Sequence, residues 1–181
     1  MKLADQIPDG ARVLVDTNPI IYVFEGNSLA APFMSVFAAI DAGRVHAIVA
    51  PITVAEVVCG PMKSGNEALA ERYRYALCSG VGWSMRGLDA DIAMLAARLR
   101  IQHHIKFPNA IQLATATHDG CYALLAYDRN FGDIESIRIL GQKPRSKKAK
   151  KTKGAKFWLT HLGCEVANGI IASLIVTVRP R

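Results

Sequence analysis

The run Val13-Leu14-Val15-Asp16-Thr17-Asn18-Pro19 decides the architecture. Three consecutive apolar residues, two of them β-branched, read as a short strand over Arg12 to Asp16, bounded by Asp9-Gly10 before it and Asn18-Pro19 after it. A strand with no polar position in its apolar run is covered on both faces, which is the signature of a parallel sheet between helical layers. Pro19 then suits the first turn of a helix, so the chain leaves the strand directly into a crossover.

The same alternation continues outward from this stretch. An Ala-rich helix is expected over Leu29 to Ala42, closed by Gly43, and a second strand over His46 to Ala50, closed by Pro51. Thr53 to Met62 opens with Thr-Val-Ala-Glu, the T-x-x-E spacing of a capping box in which Glu56 answers Thr53. Helices follow over Asn66 to Leu77 and Asp89 to Ile101, the latter with Asp89 as its N-cap and an apolar stripe of Ile92, Leu95, Ala96 and Leu99. A short strand over Val81 to Met85 separates them, Pro108 opens a helix through Thr117, and strands are expected at Tyr122 to Ala126 and Ile137 to Leu140. Strands alternating with helices predict a three-layer α/β/α sandwich around a parallel sheet.

Composition limits the alternatives. A chain of 181 residues with 51% hydrophobic and 20% charged residues has enough apolar surface for a packed core, and its length suits one domain with an extension. The net charge of +7 is unevenly placed: residues 1–140 carry 12 Lys and Arg against 14 Asp and Glu, while residues 141–181 carry 10 against 1. The basic excess therefore belongs to an appendage and not to the body. This divides the chain into a domain over 1–140, a basic linker over 141–156 and an apolar tail over 157–181. Phe157 to Val178 approaches the length of a membrane span, but Glu165 and Asn168 at its centre argue against one. The four cysteines, with no C-x-x-C spacing, read as buried reduced thiols, and the N-terminus lacks the apolar run of a signal peptide, so the expected location is cytoplasmic.

In an open parallel sheet, ligands bind beyond the carboxyl ends of the strands. Asp16 and Asp128 both stand at strand exits, Glu56 and Asn109 lie in first turns of helices, and Asn18 follows Asp16 by two residues. Convergent oxygen donors without His or Cys are what a hard cation such as Mg2+ or Mn2+ requires, and they point to metal-assisted phosphodiester hydrolysis. Taken singly, each residue also has a purely structural reading: Asp16 and Asp128 as turn or helix-cap residues, Asp128 alternatively paired with Arg129 on the surface, Glu56 as a capping-box partner, and Asn109 satisfying helix-start amides. The adjacent His103 and His104 face different directions on a helix and read as a solvated pair near its end, and Trp83 and Trp158 read as core or interface aromatics.

Taken in order, the motifs resemble a known family. Val13-Leu14-Val15-Asp16-Thr17-Asn18, Thr53-Val54-Ala55-Glu56, Asn109-Ala110-Ile111-Gln112-Leu113-Ala114-Thr115-Ala116 and Leu124-Leu125-Ala126-Tyr127-Asp128-Arg129-Asn130-Phe131 are similar to the four acidic motifs of PIN-domain nucleases. The resemblance runs over residues 11–140 and is strongest to VapC-type toxins of bacterial toxin-antitoxin pairs. It implies a Mg2+- or Mn2+-dependent endoribonuclease, with Asp16, Glu56 and Asp128 catalytic and metal-holding and Asn109 a fourth metal ligand. It also implies a cognate antitoxin protein as partner, with a homodimer left open; beside the metal ligands, Asn18 is read as a polar group that positions the RNA substrate and Arg129 as a contact to a substrate phosphate. The family usually carries Asp where this chain has Asn109, Thr or Ser at Ala126, and often Asp at Asn130. An amide oxygen coordinates without charge, so Asn109 is expected to weaken the metal site. The competing expectation is a catalytically weakened scaffold that acts by binding antitoxin or RNA.

Overall fold

The structure is a computed structural model and describes residues 1–142 except 128, 130, 132, 133 and 135. Five parallel strands, β1 (Arg12–Val15), β2 (His46–Val49), β3 (Trp83–Met85), β4 (Ala123–Leu125) and β5 (Arg138–Leu140), form one sheet in the order β3-β2-β1-β4-β5. Among the described residues six α-helices accompany them: α1 (Thr17–Phe24), α2 (Met34–Asp41), α3 (Pro51–Lys63), α4 (Glu67–Ser79), α5 (Ala90–His103) and α6 (Phe107–His118). The expected layered α/β architecture is therefore present.

β1 is the central strand, and its residues show why. Leu14 aligns with Ile48 on one side and Leu124 on the other, and Val13, Leu14 and Val15 are all buried. Alternation along the pleat sends Val13 and Val15 into one core with Ile20, Val23, Phe33 and Phe37. Leu14 goes into the other core, with Ile92, Ala96, Leu113 and Ala114. After Arg12 at its exposed start, a strand serving two cores carries no polar residue until it leaves the sheet, and the next one is Asp16.

Several element boundaries differ from expectation, each for a local reason. The helix expected over Leu29 to Ala42 is split into a 3-10 turn, Ser28–Ala30, and α2, because Pro32 lacks the N–H that would continue the ladder. Gly43, at φ 70°, ends α2 as expected: its N–H donates to Ile40 O and that of Arg44 to Ala39 O. The strand expected from Val81 begins at Trp83, since Gly82 sits at φ 75°, outside extended backbone; Trp83 itself packs in the core against Phe37, ring centroids 5.4 Å apart. Asp89 caps α5 as expected, accepting from Ile92 N at 2.9 Å.

The capping box at Thr53 and Glu56 is not formed. α3 starts two residues before Thr53 with Pro51 as its first residue, because the fixed φ of proline suits that position. Thr53 is thus the third helical residue, and its side chain and that of Glu56 turn to other helices. The expectation of buried thiols also fails in part. Cys59 is exposed and Cys78 and Cys121 are partly covered, although all three are free; partial burial pushes the Cys121 thiol up to about 11. Cys164, Trp158, the basic linker from residue 143 onward and the apolar tail lie outside the described residues. Among the described residues, no helix is long and apolar enough to cross a membrane.

Candidate active site

The sheet order reverses direction at β1: one half of the chain builds outward through β2 and β3, the other through β4 and β5. At such a reversal the loops after neighbouring strands diverge and leave a crevice at the carboxyl edge. Asp16 stands there. Its backbone N–H donates to Leu125 O across the β1–β4 junction at 2.9 Å, and its carboxylate caps α1 by accepting from Thr17 N at 2.8 Å. Asp16 is 7% exposed. One of the structural roles considered for it, the helix cap, is therefore real.

Glu56 reaches the same place from α3. The Thr17 hydroxyl donates to Glu56 Oε2 at 2.5 Å, so Asp16 and Glu56 are linked through the residue between them in space. Glu56 is exposed, which leaves its carboxylate open to the crevice while Thr17 holds it. α3 packs against both α1 and α6.

α6 brings Asn109 to this edge. The far end of α6 is anchored at the opposite edge, where its cap residue Asp119 pairs with Arg12 at the start of β1, 2.9 Å away. The first turn of α6, carrying Asn109 in a half-buried position, must therefore lie toward the carboxyl side. Asn18 is half-buried in the first turn of α1, and Arg129 is exposed beyond β4. Asp128 lies outside the described residues, as does Asn130. Among the described residues, no three His, Cys, Asp or Glu side chains gather into a metal-holding group.

Three residues here were not singled out from the sequence: Thr17, Thr53 in its actual role, and Gln112. Five polar or charged side chains are buried among the described residues: Asp16, Thr17, Thr53, Gln112 and Thr115. Four of the five belong to this junction, so polar burial is concentrated at the crevice. Gln112 Nε2 donates to Thr53 Oγ1 at 3.1 Å, joining α6 to α3, whereas Thr115 only bonds Ile111 O of its own helix. A signal existed for Gln112, since helical spacing from Asn109 and flanking Ala110, Ile111, Leu113 and Ala114 place an amide on a face that ought to be apolar. His104 is the exposed left-handed cap of α5, as the solvated reading expects, whereas His103, the last residue of that helix, is half-buried.

A family model described as PIN domain matches residues 13–137. No curated protein sequence matches the chain. Among solved structures, a chain of the toxin-antitoxin complex from Klebsiella pneumoniae is 28% identical and superposes with a TM-score of 0.56, covering 69% of this chain and 94% of that one. VapC20 of Mycobacterium tuberculosis, a Sarcin-Ricin loop cleaving toxin, is 14% identical with a TM-score of 0.57, covering 71% of this chain and 98% of that one. VapBC2 from Rickettsia felis, bound to a DNA fragment from its promoter, is 13% identical with a TM-score of 0.56, covering 71% of this chain and 96% of that one. The last two likenesses are likenesses of fold.

Proposed function

The chain belongs to the PIN-domain family, and from that premise we propose that it is a metal-dependent endoribonuclease, the cytoplasmic toxin of a toxin-antitoxin pair. The observation that carries the proposal is the Asp16–Thr17–Glu56 junction, which brings two carboxylates from separate segments to the crevice where the strand order reverses. The donor chemistry fits a hard cation, because the candidate residues offer only carboxylate and amide oxygens. Asp16, Glu56 and Asp128 would hold Mg2+ or Mn2+, with Asn109 as a neutral fourth ligand. Such an ion, when bound, supplies charge neutralisation and water activation for phosphodiester hydrolysis.

The chain's own residues have definable tasks. Asp16 is oriented by the Thr17 amide, and Glu56 is held by the Thr17 hydroxyl, so one residue fixes both carboxylates. Asn18, beside them, positions substrate through its amide, and the exposed Arg129 guanidinium meets a backbone phosphate. RNA as substrate rests on the likeness of the four motifs to toxin ribonucleases. An antitoxin protein as partner is supported by the toxin-antitoxin complex from Klebsiella pneumoniae.

The test is cleavage of RNA by the full-length chain with Mn2+ or Mg2+, compared with Asp128→Ala prepared identically. Loss of metal-dependent cleavage in Asp128→Ala is expected. Undiminished cleavage by that variant refutes the assignment. A second reading, a scaffold that binds antitoxin or RNA without cutting, is favoured by Asn109 in place of the family's acid. It is supported instead if calorimetry finds no Mn2+ binding to a chain that still retains RNA.

A further inference from the structure

We propose that Gln112 and Thr53 form a positioning pair that sets the spacing between Glu56 and Asn109 without touching substrate or ion. The proposal rests on the nuclease reading above and assigns a role to residues outside it. Thr53 is 0% exposed and Gln112 is 1% exposed, and their 3.1 Å hydrogen bond joins α3 to α6 beneath the crevice.

The spacing gives the bond its meaning. Thr53 lies three residues before Glu56, and Gln112 lies three residues after Asn109. Residues three apart share a helix face, so each partner of the bond sits under a candidate site residue. Thr17 ties Glu56 to α1 above, and Gln112 ties the same stretch of α3 to α6 below. Helices packed through aliphatic contacts alone can slide or rotate by an ångström with little change in contact. A directional hydrogen bond between buried groups resists that motion, because displacement leaves both partners desolvated and unpaired.

A purely stabilising role does not account for Gln112. Its Oε1 is buried and has no hydrogen-bond partner among the described residues. A half-satisfied buried amide and its hydroxyl partner hold the two helices less firmly than a pair of apolar side chains of equal size. The amide therefore works against stability at the one place where it fixes the relation of two site helices, a pattern expected where geometry takes precedence over stability.

The experiment uses the full-length chain and four variants: Gln112→Leu, Thr53→Val, the double variant, and Thr53→Ser, which keeps the hydroxyl. Gln112→Met serves in place of Gln112→Leu should leucine not fold there. Melting temperature, Mn2+ affinity by calorimetry, and kcat and KM for RNA cleavage are measured on each. Either single substitution should weaken Mn2+ binding about tenfold or more, as loss of groups that orient metal ligands does. The melting temperature of the double variant, in which both partners are apolar, should stay level or rise; in the single variants kcat should fall and KM for RNA should hold. The double variant should lose no more than one single variant, and Thr53→Ser should behave as wild type. Wild-type Mn2+ affinity in both single variants, or losses that add in the double variant, overturn the positioning pair while leaving the nuclease reading intact. A wild-type chain that binds no Mn2+ overturns the nuclease reading, and the pair falls with it.

Discussion

Replacing Asp16 separates two duties that the structure assigns to one carboxylate. As a helix cap it accepts from Thr17 N at 2.8 Å in a position only 7% exposed. Asn caps a helix nearly as well as Asp, whereas Ala removes the acceptor at a cost of about 1 kcal/mol. Asp16→Asn should therefore melt close to wild type, and Asp16→Ala about 2–5 °C lower for a body of this size. The metal duty responds differently. One charge about 4 Å from a divalent ion, at an effective dielectric near 20, contributes several kcal/mol before desolvation is subtracted, so even a heavily discounted loss exceeds tenfold in affinity. Both variants should thus lose metal-dependent cleavage alike. Melting curves and Mn2+-dependent RNA cleavage, run side by side, measure the two effects. Cleavage by Asp16→Asn at the wild-type rate would refute the metal role, and equal melting of the two variants would refute the cap.

Three further outcomes are expected. Asn109→Asp, which restores the acid the family usually has at this position, should raise both Mn2+ affinity and cleavage rate; unchanged affinity by calorimetry places Asn109 away from the ion. Deleting residues 143–181 should leave the melting temperature of the body unchanged and flatten the salt dependence of RNA binding, because a segment rich in Lys and Arg releases counterions when it binds; a large drop in melting temperature would make the tail part of the fold. Burial pushes the Asp119 carboxyl up, but hydrogen bonds from His118 and Arg86 and the charges of Arg86 and Arg12 outweigh it and hold the pKa below the ordinary value. Its contribution to stability is then complete above the ordinary Asp pKa of about 3.9 and lost as pH falls through the lowered folded value, so Asp119→Asn should flatten the acid limb of the stability profile measured by denaturant melts.

What the sequence determined by itself was whatever depends on near neighbours in the chain. The apolar run Val13 to Val15 ending at Asp16 announces a strand buried on both faces, and the spacing of the four motifs announces the family, because each is written within a few consecutive residues. Asp89 as a cap and Gly43 as a helix stop were legible for the same reason. Thr53 and Glu56 show where local reading misleads. Their T-x-x-E spacing is sufficient for a capping box, but Pro51 starts the helix earlier, and both side chains find partners about forty or more positions away in sequence. Thr17 on Glu56 and Gln112 on Thr53 are contacts between helices that only the folded sheet brings together. Tertiary packing decided them because a hydrogen bond buried from water depends on the distance between its partners in space, and local patterning carries no record of that distance.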